Sequence, residues 1–304
     1  MSSSRTIRAM TPCRIIVPLD GSAAAEAALP EAERIAVGGA VVHLLHVVPS
    51  LPLTVGDTSA GVMECHDQAL SYLQSLRDKL PEMHGLDLIR SGEPADAILQ
   101  VALEFNIDLI AMSTHARTGL ARWFLGSVAE TVVRRSQLPV LLVRPDLPVP
   151  HPVLRRILVP LDGSEESFSI LTAVKRLALG TGAEVVLLHV NERALSLDPG
   201  RGAPEAPDIP GDPKEKLLTT ADRLGESDLV FWQVIAEGDA TGEILHHAEN
   251  LDADLIAMST HARSGQERVI HGSVAQDVLG RSGRAVLLQK PLVRAVATAA
   301  WRFQ

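Results

Sequence analysis

Arg14-Ile15-Ile16-Val17-Pro18-Leu19-Asp20-Gly21-Ser22 returns later in the chain as Arg156-Ile157-Leu158-Val159-Pro160-Leu161-Asp162-Gly163-Ser164. An apolar run of strand length that ends on Asp-Gly-Ser is a strand running into a turn. The recurrence continues outward from it in order. Leu44-Leu45-His46-Val47 comes back as Leu187-Leu188-His189-Val190, and Asp108 through Arg117 comes back as Asp254 through Arg263. Gly126-Ser127-Val128-Ala129 reappears as Gly272-Ser273-Val274-Ala275. Only short insertions intervene, so a whole domain has been duplicated rather than a solenoid unit.

Inside each copy two periodicities alternate. Apolar runs of strand length fall at Ile15–Leu19, Val41–Val48, Leu86–Arg90, Ile107–Met112 and Val140–Val143, with Leu229–Ala236 as the second copy's counterpart of Leu86–Arg90. Helical patterns lie between them at Ala23–Val37, Ala69–Leu80, Ala95–Phe105 and Val128–Ser136, with a kink expected at Pro30. Strands alternating with helices predict an α/β fold: two tandem open sandwiches, each a mainly parallel five-stranded sheet with helices on both faces. The expected domains are residues 10–146 and 153–291, followed by a tail at 292–304. The four prolines of Pro145–Pro152 mark the linker. Pro49–Gly61 and Asp198–Pro213 read as loops after the second strand of each copy.

Composition narrows the partners. Aromatics make up only 3% of the 304 residues, so the cores must be built from Val, Leu, Ile and Ala, as buried parallel strands are. A formal charge of -9 argues against a nucleic-acid partner, which wants a basic face. No stretch is apolar for long enough to span a membrane, and Met1–Arg5 lacks a secretory signal's apolar run, so the expected compartment is the cytoplasm. Two cysteines, Cys13 and Cys65, are too few for a disulfide framework or a cysteine zinc site.

In an open parallel sheet, ligands bind beyond the carboxyl ends of the strands, where strand order reverses. Asp20 and Asp162 stand there. A carboxylate at that point can accept from an adenine amino group or ribose hydroxyls; the same Asp-Gly-Ser also fits a plain turn with Ser22 or Ser164 capping the next helix. Gly126 and Gly272 each precede a helix start, where free N–H groups favour phosphate. Ser127 with Glu130, and Ser273 with Gln276, equally fit a capping box. His115 and His261 sit in polar loops, and His46 and His189 end buried strands, where a hydrogen bond to backbone is the expected state. No zinc, P-loop or nucleophile-elbow pattern accompanies them.

Taken together, the Val-Pro-Leu-Asp-Gly-Ser start, Leu-Leu-His-Val, Met-Ser-Thr-His-Ala-Arg and Gly-Ser-Val-Ala, in order and twice over, resemble the universal stress protein family. The resemblance implies adenine nucleotide binding, with ATP as the ligand and Mg2+ as an optional companion. It implies an Asp for the nucleoside and the backbone of a strand-ending valine for adenine. A Gly-x-x-Gly, nine residues, Gly-Ser/Thr pattern serves ribose and phosphates. Carried over, these are Asp20, Val47, Ser113, Ala116, Gly126 and Ser127, and in the second copy Asp162, Val190, Ser259, Ala262, Gly272 and Ser273. Apart from the resemblance, Arg117 and Arg122, like Arg263 and Arg268, have the length to reach phosphates or to stay solvated surface charges. The chain departs from the pattern where Ser113, Ala116, Ser259 and Ala262 replace glycine, while the nine-residue gap is intact. Dimers of single-domain members further imply that Val140–Val143 pairs with Val286–Leu288 in an intrachain pseudo-dimer; a homodimer of the whole chain stays open. The expected role is nucleotide-dependent regulation with little or no hydrolysis. The rivals are a scaffold that binds no nucleotide, and an ATPase or adenylyl-transferring enzyme, whose signature loops are missing from the sequence.

Overall fold

A computed structural model describes residues 13–48, 59–114, 125–147, 151–192, 229–260 and 273–291. The first copy contains β1 (Arg14–Leu19), α1 (Ala23–Glu26), α2 (Leu29–Ala36), β2 (Val41–Val48), α3 (Ser59–Arg77), β3 (Asp87–Ser91), α4 (Pro94–Glu104), β4 (Leu109–Ser113), α5 (Ser127–Arg135) and β5 (Val140–Val143). The second contains β6 (Arg156–Pro160), a 3-10 turn (Ser167–Ile170), α6 (Leu171–Thr181), β7 (Glu184–Asn191), β8 (Phe231–Glu237), α7 (Ala240–Asn250), β9 (Leu255–Ser259), α8 (Ser273–Arg281) and β10 (Ala285–Gln289).

The largest boundary differences from the sequence reading are three, beside shifts of one to three residues elsewhere. The helix expected over Ala23–Val37 is broken in two, and Pro30 sits in the first turn of α2 instead of kinking its middle. A first-turn proline sacrifices no helical hydrogen bond, so the break falls just before it. The helix expected at Ala69–Leu80 begins ten residues earlier, at Ser59, so Ser59–Gly61 is helix rather than loop. Its polar opening, Ser59 to Gln68, carries little apolar periodicity to reveal it. Ile107 and Asp108 precede β4 instead of opening it, because Asn106 ends α4's overhang with a φ of 50°. The rest of Pro49–Gly61, Asp198–Pro213 and the tail lie outside the described residues.

All ten strands form one sheet, in the order β3-β2-β1-β4-β5-β10-β9-β6-β7-β8. Each half is parallel throughout. The halves join where β5 and β10 run antiparallel, with Val286 opposite Leu142, Leu287 opposite Leu141 and Leu288 opposite Val140. This is the pairing that the family resemblance implies, and it covers two apolar edges that would otherwise invite association. The strand order reads the same from either end, so the halves are related by an approximate two-fold axis at that seam.

Neighbouring residues of each strand serve opposite cores. Ile15, Val17, Leu141, Leu287 and their kind pack against α2, α3 and α6. Ile16, Ile110, Leu142 and Val286 pack against α4, α5, α7 and α8. Both cores run through the seam without a break.

At the axis α2 approaches α6. A Cβ on Gly38 would lie 2.6 Å from the Gly180 carbonyl oxygen, whereas one on Gly180 would stand 3.5 Å from that of Gly38. Each helix also sends an arginine across the boundary. Arg34 of α2 meets Asp254, just before β9, at 2.7 Å, and both side chains are buried. Its counterpart, Arg176 of α6, pairs with Asp108 just before β4, in a more open setting.

Candidate functional site

Strand order reverses between β1 and β4 in the first half, and between β6 and β9 in the second. The ladder between β1 and β4 is short: Ile15 pairs with Leu109, Ile16 with Ile110, and it stops there. β1 stays paired with β2 as far as Leu19 opposite His46. Pro18 lies just past the break. Lacking an N–H, it has nothing to donate towards β4, so the ladder ends there, at the switch point where open α/β sheets form their ligand crevice. Pro160 holds the same place, and the β6–β9 ladder likewise ends at Leu158 opposite Ile256. These prolines were not picked out from sequence, although a proline inside a central strand was the available signal.

Above each crevice stands the Asp-Gly-Ser turn. The Ser22 N–H and Oγ–H both donate to Asp20 Oδ1, at 2.9 and 2.6 Å. The Ser22 hydroxyl oxygen accepts from the Ala25 N–H at 3.1 Å, capping α1. Asp162 and Ser164 repeat the first two bonds at the same lengths, and Ser164 Oγ accepts from the Ser167 N–H. Gly21 and Gly163 each have a φ of 84°, a conformation glycine adopts at little cost. The turn and cap are therefore real. They also present each carboxylate, exposed at the strand end, in one fixed orientation.

Val47 and Val190, next along β2 and β7, lie level with these aspartates. Ser113 and Ser259 end β4 and β9 on the far side of the crevice. Both serines are buried, at 8% and 5% exposure, so neither projects into solvent as a substitute for the family's glycine would if it pointed at a ligand. Ser113 Oγ donates to the Thr114 carbonyl, while Ser259 Oγ bonds to Ser169 Oγ and the Ser167 carbonyl. Ala116, Arg117, Ala262, Arg263 and Gly272, like His115 and His261, lie outside the described residues.

Gly126 is the N-cap of α5, and Ser127 is its first helical residue, with an exposed side chain. The capping box expected from Ser127 and Glu130 does not form, and no side chain among the described residues caps this helix. Ser127 sits one position too late, and its carbonyl instead accepts from the Thr131 hydroxyl. Gly126 has φ -59° and ψ 151°, open to any residue, so backbone conformation does not require glycine there. Ser273 opens α8 as Ser127 opens α5.

The surroundings differ between halves. His189 Nδ1–H donates to the Leu161 carbonyl at 2.9 Å, the backbone bond expected of a strand-end histidine. His46 makes the counterpart contact, to the Leu19 backbone, more loosely: its buried Nδ1 falls short of ordinary hydrogen-bond geometry. Its ring packs edge-on to Tyr72, centroids 5.8 Å apart, and the Tyr72 hydroxyl donates to Glu26 at 3.0 Å. Burial pulls His46 below the usual histidine range against the upward pull of Asp20, so it is neutral. Burial, then Glu26, raises the Tyr72 phenol well above its usual value. Among the described residues no group of three or more His, Cys, Asp or Glu could hold a metal, and no helix is long and apolar enough to cross a membrane.

Residues 13–144 and 154–290 each match the Universal stress protein family. A universal stress protein of Mycolicibacterium smegmatis is 24% identical over 301 residues, covering 94% of this chain and 99% of its own. One from Methanocaldococcus jannaschii is 34% identical over 140 residues, covering 43% of this chain and 81% of its own. Among solved structures, a universal stress protein of Archaeoglobus fulgidus superposes with a TM-score of 0.68 at 22% identity, over 91% of this chain and 98% of that one.

Proposed function

The chain belongs to the Universal stress protein family as a tandem pair of its domains, and on that premise we propose that it is a regulatory protein that binds ATP at the strand-order reversal of each half. One observation carries the reading: α5, which follows β4 in the first half, begins at a glycine that its own dihedrals do not need, and no side chain among the described residues caps its N–H groups. An anion is the natural occupant of such a helix end. Adenine would meet the backbone at Val47 or Val190, the ribose Asp20 or Asp162, and the phosphates Gly126-Ser127 or Gly272-Ser273. Arg117 and Arg263 would assist, and Mg2+ would arrive as the nucleotide's own counter-ion.

The chain's part is to bind and orient. Burial lowers the pKa of His46 and so weakens it as a base for activating water, and turnover should be far below the ordinary enzyme range of about 1 per second and more. ATP would act by favouring one arrangement of this protein or a partner over another. The pairing of β5 with β10 supplies the pseudo-dimer internally, and the proposed compartment is the cytoplasm. Mass spectrometry of gently purified protein tests the reading: an adenine nucleotide should co-purify at a stoichiometric level. A second reading, a scaffold without nucleotide, has its own support, since the Asp-Gly-Ser turn uses Asp20 Oδ1 and Asp162 Oδ1 internally. Protein that neither carries nor takes up ATP would favour the scaffold.

A further inference from the structure

Beyond Leu158 opposite Ile256 no ladder bond joins β6 to β9 among the described residues, yet side chains tie the two strands together there. Ser259, the last residue of β9, has its hydroxyl 2.8 Å from Ser169 Oγ and 3.3 Å from the Ser167 carbonyl, both in the 3-10 turn that follows β6. Ser169 already donates its one hydrogen to the Glu166 carbonyl at 2.8 Å. The Ser259 hydroxyl is therefore the donor, and it shares its hydrogen between the two acceptors. From Ser167 the bonds continue inward. Its N–H donates to Ser164 Oγ at 3.1 Å and its hydroxyl to the Ser164 carbonyl at 2.8 Å, while the Ser164 hydroxyl donates to Asp162 Oδ1 at 2.6 Å. Ser259 and Ser167 are 5% and 3% exposed, so water competes little for these bonds.

The first half keeps the strand-end hydroxyl and lacks the bridge. Counting from the Asp-Gly-Ser turns, Ala25 and Ala27 hold the places of Ser167 and Ser169. Ala27 has no hydroxyl to accept with, and Ser113 Oγ donates to the carbonyl of its own neighbour, Thr114, at 3.2 Å. Ser22 holds Asp20 as Ser164 holds Asp162. Among the described residues, however, no side-chain hydrogen bond runs from that turn to the end of β4.

Resting on the reading that each crevice takes ATP, we propose that Ser259 is a positioning residue that makes the second crevice the tighter of the two ATP sites. A nucleotide with its ribose on Asp162 and its phosphates on the segment after β9 must hold the ends of β6 and β9 in one arrangement. The Ser259 bridge has already fixed the Asp162 turn against β9, so less ordering is left for binding to impose. In the first half the nucleotide itself must fix Asp20 against β4. The serine that stands for the family's glycine thus acts through the turn and not on the ligand.

Calorimetric titration of ATP into the full chain should resolve two affinities about 3- to 10-fold apart, as one buried hydrogen bond allows. Asp162→Ala should weaken the tighter of them and Asp20→Ala the weaker. Ser259→Ala should bring the tighter site down to the weaker, and should have no further effect in the Asp162→Ala protein. Ser259→Thr, which keeps the hydroxyl, should hold the difference. Ala27→Ser, which gives Ser113 an acceptor, should strengthen the weaker site. Should Ser259→Ala fail to fold, Ser169→Ala removes the same bond from its more exposed end. Hydrogen exchange of the nucleotide-free chain reads the bridge directly: Ser259→Ala should speed exchange across Ser164–Ser169 and leave Ser22–Ala27 unchanged. No ATP binding at all would fell the nucleotide reading and this proposal with it. ATP bound with equal affinities, a Ser259→Ala effect that persists without Asp162, or exchange indifferent to Ser259→Ala would overturn the proposal alone.

Discussion

Arg34 and Arg176 start from the same helix position and reach the same strand-leading aspartate across the axis, but one contact is sealed and the other stands open. Asp254 is fully buried and accepts from Arg34, His151 and the N–H groups of Arg155 and Arg156. Asp108 accepts from Arg176 and the Arg14 N–H and remains partly exposed. The duplication therefore preserved the fold and the Asp-Gly-Ser turns while letting the two ends of the domain boundary diverge. Burial, rather than charge pairing as such, decides what each contact is worth.

The largest expected effect is on stability. Arg34→Ala should cost about 3–5 kcal/mol in denaturant unfolding, because it strands a buried carboxylate. Arg176→Ala should cost ~0–1 kcal/mol, as exposed pairs do. Equal losses would break the comparison.

Acid should narrow that gap. Burial works to raise the Asp254 pKa, but the bonds from His151, Arg155 and Arg156 together with the charge of Arg34 outweigh it and hold it below the ordinary 3.8. A depressed folded value gives stability that is present above the ordinary value and lost as pH falls through the lower one. Glu31 has the opposite sign: burial, opposed by Arg34, raises it above 4.5, so its contribution declines as pH rises through that value. Unfolding curves from pH 7 downward should show the Arg34→Ala deficit shrinking once Asp254 protonates, with the Arg176→Ala deficit changing little.

Gly38 and Gly180 sharpen the comparison at smaller scale. Gly38→Ala drives a Cβ into the Gly180 carbonyl and should cost about 1–3 kcal/mol, in the range of overpacked sites. Gly180→Ala meets only ordinary contact within α6 and should be neutral or stabilise by up to ~1 kcal/mol. Thermal unfolding of the two variants gives the answer, and a reversed order would place the tight contact on the wrong helix.

Most of the fold was legible because buried parallel strands are nearly continuous apolar runs, and the duplication showed each run twice. The pairing of β5 with β10 came from the family resemblance and not from periodicity. What escaped depended on geometry that local pattern does not carry. The early start of α3 hides in a polar stretch. The capping box at Ser127 matched in spacing and failed by one residue of position. Arg34–Asp254 joins residues more than two hundred positions apart, and nothing in either segment announces the other. At the candidate site, Asp20 and Asp162 were legible as strand-end carboxylates, but Pro18 and Pro160 were passed over. Their role shows only when the ladder is seen to stop beside them.

Calorimetric titration of ATP into the full-length protein and into its Asp20→Ala/Asp162→Ala form tests the central claim, that the two crevices hold adenine nucleotide. We expect saturable binding to the parent chain and a loss of more than ~1 kcal/mol, about fivefold or greater, in the folded double variant, as removal of a charged hydrogen-bond partner requires. Unchanged affinity in that variant, or no binding to the parent, would contradict the claim and return both aspartates to the turns they stabilise.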